Sequence, residues 1–308
     1  MIEHERIAII GAGHVGSTAA YALMLRALFR EIVLVDSDTA LAQAEAADLS
    51  DANALARPAR IWAGDYADAG LARIAVITAG AATRGSEDRL SVASRSAAIV
   101  TSCVDQLLGA GFAGIILVAA NPVDLMTLVA LRRSGFPPAR VIGSGTLLDS
   151  SRFKQALAGR LDVASSAIDA MVLGEHGDSE VAAFSVARIG AVALDQFPAA
   201  GAALDHAQIA HDVRTAAYRI IQGKGYTSFG VATAIVRICE VIQRGERAVL
   251  PVSTLLTGEY GIRDLCLSLP CVLGAGGVEH VLSPPLSEQE VIALQASAAT
   301  LRNALDAL

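Results

Sequence analysis

Covalent and metal staples are scarce in this chain. Its 308 residues include only four cysteines, Cys103, Cys239, Cys266 and Cys271. None forms a Cys-x-x-Cys pair, and no His/Cys cluster has the spacing of a zinc site. Neither a disulfide framework nor a metal centre is expected. The cysteines read instead as small buried apolar residues. No run reaches the roughly 18 uncharged apolar residues of a membrane span. The N-terminus enters Ile7-Ala8-Ile9-Ile10 without the basic segment and apolar core of a signal peptide. Positive charge is also in deficit, with a net charge of -7. That disfavours broad binding to nucleic acid or to anionic membranes. Charged residues make up 18% and hydrophobic ones 53%, the balance of a well-buried globular protein. The length suits one large α/β domain or two intimate ones. A soluble protein of a reducing, cytoplasmic setting is expected, with no nucleic-acid or membrane partner.

Histidine is scarce as well, and only one of the six stands at a break between an apolar run and a polar turn. This is His176, in Val172-Leu173-Gly174-Glu175-His176-Gly177-Asp178-Ser179. The flanking glycines remove side-chain bulk and let a ligand approach. A histidine near its ordinary pKa exchanges a proton at neutral pH. A turn histidine with only local hydrogen bonds is the plainer alternative. Against it stands Leu147-Leu148-Asp149-Ser150-Ser151-Arg152 upstream. That segment offers a carboxylate to orient the imidazole and an arginine to hold an anionic substrate.

Glycine, by contrast, is placed with purpose near the N-terminus. Arg6 to Ile10 reads as a short buried parallel strand, and Gly11-Ala12-Gly13-His14-Val15-Gly16 follows at once. Ser17 to Leu28 has helical spacing. A second strand, Glu31 to Val35, ends on Asp36, which lies 20 residues beyond Gly16. In such a turn Gly11 permits the tight bend, Gly13 lets the backbone approach a pyrophosphate, and Gly16 lets helix pack on strand. The helix N-terminus adds free N–H groups and partial positive charge. Asp36 can accept from both ribose hydroxyls and would repel a 2′-phosphate, so NAD is preferred to NADP. The candidate cofactor residues are Gly11, Gly13, His14, Val15, Gly16, Asp36, Ala79, Gly80 and Asn121.

Further along, Ala42 to Ala54 reads as a helix and Arg60 to Ala63 as an edge strand. Ile74 to Thr78 and Ile115 to Ala119 read as buried strands, and Val141 to Gly143 as the last strand of this half. The alternation predicts an α/β fold, a Rossmann-type doubly wound parallel sheet followed by an α+β substrate domain. The expected division is 1–143 and 144–308. Ligands bind such sheets at the carboxyl ends of the strands, where Gly11, Asp36, Gly80 and Asn121 all stand. In the second half Asp205 to Gln222, Gly230 to Arg244 and Leu286 to Leu308 read as helices. The last shows a capping-box pattern at Ser287 and Glu290. Leu265 to Leu273 reads as an antiparallel strand.

The ordered set Gly11-Ala-Gly-His-Val-Gly-Ser17, Ala120-Asn-Pro-Val-Asp124, Gly143 to Arg152, Leu173 to Ser179, Gly223-Lys-Gly-Tyr-Thr227 and Leu250-Pro-Val-Ser253 resembles the L-lactate/malate dehydrogenase superfamily. The resemblance runs essentially end to end and looks most like its L-lactate dehydrogenases. It implies an NAD-dependent oxidoreductase of L-2-hydroxy acids. His176 matches the catalytic acid/base, Asp149 its carboxylate partner, and Arg152 the residue that grips the substrate carboxylate. Asn121 matches the residue that bonds the reacting oxygen, and Thr227 lines the substrate cavity. Arg89 matches a catalytic arginine on a closing segment, Ala82 to Ser91, that would polarise the carbonyl.

That segment departs from the family pattern. Lactate dehydrogenases carry Asn-Gln-Lys-Pro-Gly-Glu-Thr-Arg there, and malate enzymes replace the glutamine with arginine. Ungapped alignment puts uncharged Thr83 at that position and Arg84 next to it, with Gly85 at the usual proline. A relaxed specificity centred on lactate is expected. Malate activity through an inward Arg84 is one alternative. A second is an enzyme like the L-2-hydroxyisocaproate dehydrogenases, similar in Gly135-Phe-Pro137 and Gly223 to Ser228. An NAD-binding structural or sensor protein is the non-enzyme alternative, and the intact set His176, Asp149, Arg152, Arg89 and Asn121 speaks against it. The metal-dependent glycosidase branch would need a Cys/His arrangement that the sequence lacks. The family implies a homo-oligomer, dimer or tetramer. Fructose-bisphosphate-activated relatives carry a basic pair whose positions match Lys154 and Asp169, so the acid predicts no such activation.

Overall fold

Short apolar runs that end on glycine, aspartate or asparagine become the parallel strands. The computed structural model describes residues 5–56, 58–81, 89–197 and 204–308, with the side chains of 89–91 excluded. The first half contains β1 (Arg6–Ile10), α1 (His14–Leu25), β2 (Glu31–Val35), α2 (Thr39–Asn53), β3 (Arg60–Ala63) and α3 (Tyr66–Gly70). It continues through β4 (Ile74–Ile77), α4 (Arg89–Gly109), β5 (Ile115–Val118), α5 (Val123–Ser134) and β6 (Val141–Gly143). The six strands are parallel neighbours in the order β3-β2-β1-β4-β5-β6. The chain reverses its winding between β1 and β4, and that crevice is where a doubly wound sheet takes its ligand. The strands are apolar on both faces because helices cover both. One buried layer gathers Ala8, Ile10, Val33 and Ile77, and the other Ile7, Ile9, Ile32 and Leu34.

Several boundaries differ from the sequence expectation by one to three residues, α2 for example starting at Thr39 rather than Ala42, and both ends of α1 differ for visible reasons. Helix α1 starts at His14, not Ser17, because Gly13 is its extended N-cap and the last fingerprint glycine lies inside the helix. It also ends at Leu25 rather than Leu28, since Ala27 adopts a left-handed φ of 51°.

The second half contains α6 (Leu147–Leu161), β7 (Ile168–Asp169), β8 (Val172–Leu173), β9 (Val181–Ala182), β10 (Arg188–Ile189) and β11 (Val192–Ala193). These short strands form two small antiparallel sheets, β11-β10-β7 and β8-β9. There follow α7 (His206–Lys224), α8 (Phe229–Arg244), β12 (Ala248–Thr257), β13 (Arg263–Gly274), β14 (Gly277–Val281) and α9 (Glu288–Asp306). Ser287 caps α9, and it and Glu290 form the expected reciprocal capping box. β12 pairs antiparallel with β13, and its Ser253 bridges Gly143 of β6. The large sheet therefore continues from the first half into the second, in the order β14-β13-β12-β6-β5-β4-β1-β2-β3.

Two helices fix the site. In α6 the 3.6-residue repeat brings Asp149, Arg152 and Phe153 toward one side. Phe153, Leu157 and Leu161 are buried beneath it with Ile168, Ile189 and Ile209. Each such side chain contributes about 1.5–3 kcal/mol of burial. Together they can hold a carboxylate whose unpaired burial would cost several kcal/mol. Helix α5 lies between α4 and the strands β6, β12 and β13, with Val123, Leu125, Met126, Leu128 and Leu131 buried. It begins directly after the cis Asn121-Pro122 peptide, and its first turn carries Asp124.

Candidate active site

At the carboxyl ends of β1, β2 and β4 lies a cleft of about 560 Å³ lined by Gly11, Gly13, Asp36, Tyr66, Thr78, Ala79 and Gly80, among others. The glycines that open it differ in what they permit. Gly11 has φ 107°, and a Cβ there would lie 2.6 Å from the Ala79 nitrogen. A Cβ on Gly16 would meet the Gly11 carbonyl oxygen at 1.9 Å, so helix and turn could not pack so closely around any larger residue. A Cβ on Gly13 would meet nothing within 4 Å, so the space beside it is free for a ligand. Asp36 faces the same turn. Its Oδ2 accepts the Ala12 N–H at 2.7 Å and its Oδ1 the Asp38 N–H at 2.9 Å. A carboxylate with about four acceptor sites retains capacity for ribose hydroxyls. These features fit a dinucleotide: a narrow backbone cradle for phosphates and an acid lining the same cleft. Val15 is half-buried against the core. His14 is placed differently. Its ring stacks on Tyr226 from the second half, with centroids 3.8 Å apart and planes 11° from parallel.

The second cluster assembles from three segments distant in sequence. His176 Nδ1 lies 2.6 Å from Asp149 Oδ2, and Arg152 Nη1 donates to Asp149 Oδ1 at 2.8 Å. Asp149 is buried, 2% exposed, so a single carboxylate is enclosed between two cationic groups. The His176 turn follows β8 and is tied from several sides. Gly174, at φ 89°, exchanges backbone hydrogen bonds with Ser268. The Glu175 N–H donates to Ser297 Oγ of α9 at 2.9 Å. The His176 N–H donates to Asp124 Oδ2 at 2.8 Å. The imidazole is thus held by its ring, its own backbone and its neighbour's.

The electrostatics follow from this geometry. Burial disfavours the charged imidazole, but Asp149, with help from Asp124 and Glu180, outweighs it and raises the His176 pKa to about 9. Burial likewise works against an ionised Asp149, yet His176 and then Arg152 hold its carboxyl below the usual range. The linked proton therefore resides on the imidazole at neutral pH. Glu180 is buried, and desolvation, reinforced by Asp149, pushes it up to about 8.

Arg152 and Thr227 line one cleft of about 710 Å³ together with Leu147, Leu148, Ile220 and Phe229. Asn121 stands at the end of β5, with α5 leading away behind it. Arg89 opens α4, and its side chain lies outside the described residues. Thr83 and Arg84 lie outside them entirely. Among the described residues no group of three or more His, Cys, Asp or Glu could hold a metal ion.

Two buried acids, Asp124 and Glu180, escaped the sequence reading. A lone acid at the head of the apolar stretch Val123–Leu131 was the available signal for Asp124. Glu180 offered none, since a charged residue in a polar turn gives no sign of burial.

Residues 5–143 match the family model of the lactate/malate dehydrogenase NAD binding domain. Residues 146–308 match that of the lactate/malate dehydrogenase alpha/beta C-terminal domain. The chain belongs to the lactate/malate dehydrogenase family. It is an NAD-dependent oxidoreductase acting on a 2-hydroxy acid, as the family's chemistry requires. An L-lactate dehydrogenase of Thermus aquaticus is 45% identical over 307 residues, covering 98% of this chain and 99% of that protein. One from Acetivibrio thermocellus is 39% identical over 308 residues, covering 99% and 97%. Among solved structures, the ligand-bound minor L-lactate dehydrogenase of Enterococcus mundtii superposes with a TM-score of 0.96 at 34% identity, with 99% of each chain covered. A lactate dehydrogenase from a Medee basin deep-sea metagenome library gives 0.95 at 38% identity, again over 99% of each.

Proposed function

We propose that the chain is an L-lactate dehydrogenase that reduces pyruvate to L-lactate, with some tolerance for larger side chains. The observation that carries the reading is the His176–Asp149–Arg152 constellation, one buried carboxylate joined to an imidazole at 2.6 Å and to a guanidinium at 2.8 Å. Relatives over the full length carry the lactate dehydrogenase name and support the choice of substrate. Residues 1–143 form the cofactor domain in this reading and 144–308 the substrate domain.

NADH supplies the hydride when bound. The roles of the chain's own residues follow from their surroundings. Asp149 accepts from Nδ1–H and so leaves Nε2–H of His176 to donate to the ketone oxygen. Because the imidazole is protonated at neutral pH, the proton is already in place for reduction. In oxidation the neutral ring takes the hydroxyl proton back. Arg152 commits Nη1 to Asp149, and its other donors take the substrate carboxylate as a planar pair. Asn121 bonds the reacting oxygen, Thr227 bounds the cavity, and Arg89 polarises the carbonyl. Gly11, Gly13, Val15, Gly16, Ala79 and Gly80 bed the dinucleotide, and Asp36 selects NAD through its ribose. His14 contributes through its backbone, its ring being committed to Tyr226.

The test is a panel of 2-oxo acids with NADH, in which pyruvate leads. A kcat/KM for oxaloacetate about a hundred-fold above that for pyruvate would overturn the lactate reading. Arg84→Ala would then decide whether that side chain is the cause.

A homo-oligomer belongs to the same proposal, supported by exposed apolar side chains outside the cleft, Tyr21 and Leu25 of α1 and Ile221 of α7. So does a cytoplasmic setting, supported by four unpaired buried cysteines. No fructose-bisphosphate activation is proposed, because Asp169 presents an exposed carboxylate where activated relatives carry a base.

A further inference from the structure

Asp124 stands behind the His176 turn rather than in the cleft. Its side chain is 2% exposed, and its Oδ2 accepts the backbone N–H of His176 at 2.8 Å. It sits in the first turn of α5, three residues after Asn121, on a helix whose other faces are packed into the core. The bond therefore ties the strand end that carries Asn121 to the histidine by a single rigid link. Oδ1 is buried without a hydrogen bond. The Ser253 hydroxyl lies near enough to favour the carboxylate electrostatically, yet no bond of normal geometry joins them. A buried carboxylate that leaves an oxygen unsatisfied costs free energy and needs a reason.

We propose that Asp124 is the positioning residue of His176, fixing the height of the imidazole above the substrate through the backbone and lending the imidazolium a second negative charge. The inference rests on the reading of His176 as the acid–base. The groups facing the imidazole are Asp149, Asp124 and Glu180, with Arg152 on the far side of Asp149. Those facing Asp124 are His176, Glu175 and Ser253, together with the buried thiol of Cys266 on β13. Burial raises Asp124 to about 6, so it is ionised in the neutral range and silent below it.

Two variants separate its two contributions. Asp124→Asn retains an oxygen for the His176 N–H but carries no charge. Its kcat should fall by less than that of the alanine variant, while the His176 ionisation falls below its value near 9. Asp124→Ala leaves the N–H unpaired and frees the turn, and kcat should fall about tenfold or more with little change in KM. The ionisation is read by NMR titration of the histidines in the protein without substrate, the resonance being assigned with His176→Asn. An Asp124→Asn protein whose His176 titrates as in the parent overturns the proposal, whether or not the alanine variant folds. So does a folded alanine variant with the parent's kcat. Because the titration needs no turnover, a failed lactate assignment and a failed role for Asp124 would be told apart.

Discussion

Gly13 and His176 both follow apolar strands, but their surroundings differ in kind. Around Gly13 the structure offers emptiness: a Cβ would meet nothing within 4 Å, and the open space lies at the N-terminus of α1, whose N-cap is Gly13. Around His176 the structure offers enclosure, with Asp149 on the ring, Asp124 on the backbone and Ser297 on the preceding N–H. The cofactor half thus recognises by shape and by partial charges that cost little to maintain. The substrate half keeps full charges out of water, and their pKa values move accordingly. Substitutions should act on binding in the first region and on rate and pH dependence in the second.

The largest expected effect comes from breaking the enclosure. Asp149→Asn should lower kcat by about 10²- to 10⁴-fold, the range for a misplaced acid–base, with NADH affinity by fluorescence unchanged. Its alkaline limb should move to lower pH, since the largest charge raising His176 is gone. The same charges set fold stability. His176, Glu180 and Asp124 all have raised folded values of about 9, 8 and 6. Each contributes stability that is full below its ordinary pKa and lost as pH rises through the folded one. Denaturant unfolding should therefore show a parent protein less stable at pH 9 than at pH 6.5, and a smaller difference for Asp149→Asn.

Gly16→Ala and Gly13→Ala sharpen the contrast in the other half. The first forces a Cβ to 1.9 Å from the Gly11 carbonyl, and unfolding should show a loss of about 1–3 kcal/mol. The second should change stability by no more than about 0.5 kcal/mol while weakening NADH binding, because its methyl fills only ligand space. Equal losses of stability in the two would mean that the space at Gly13 is not open. At Asp36 the effect is on cofactor choice and leaves the fold alone. Replacement by serine should improve NADPH relative to NADH by about tenfold, close to 1.4 kcal/mol, in competitive binding.

The cofactor half was legible because its signals are local. Arg6–Ile10, Gly11 to Gly16 and Asp36 lie within one strand–helix–strand unit, and each residue's reason is visible from its neighbours. Even there, the start of α1 was misplaced by three residues, since a glycine read as part of the turn is also a helix N-cap. The short strands from β7 to β11 carry too few residues to show a period, and their burial comes from elements distant in sequence: α6 and α7 on one side, and α9 and β13 against β8 and β9.

By itself the sequence determined the parallel strands, the fingerprint turn and the capped last helix, and it singled out His176, Asp149 and Arg152. Only the tertiary structure decided that Asp149 is shared by two cations, that Asp124 reaches the His176 backbone, and that the His14 ring turns toward Tyr226. The physical reason is that patterning records which side of an element faces inward. The charge of a buried group depends on what meets it there, and those partners come from 27 and 52 positions away along the chain.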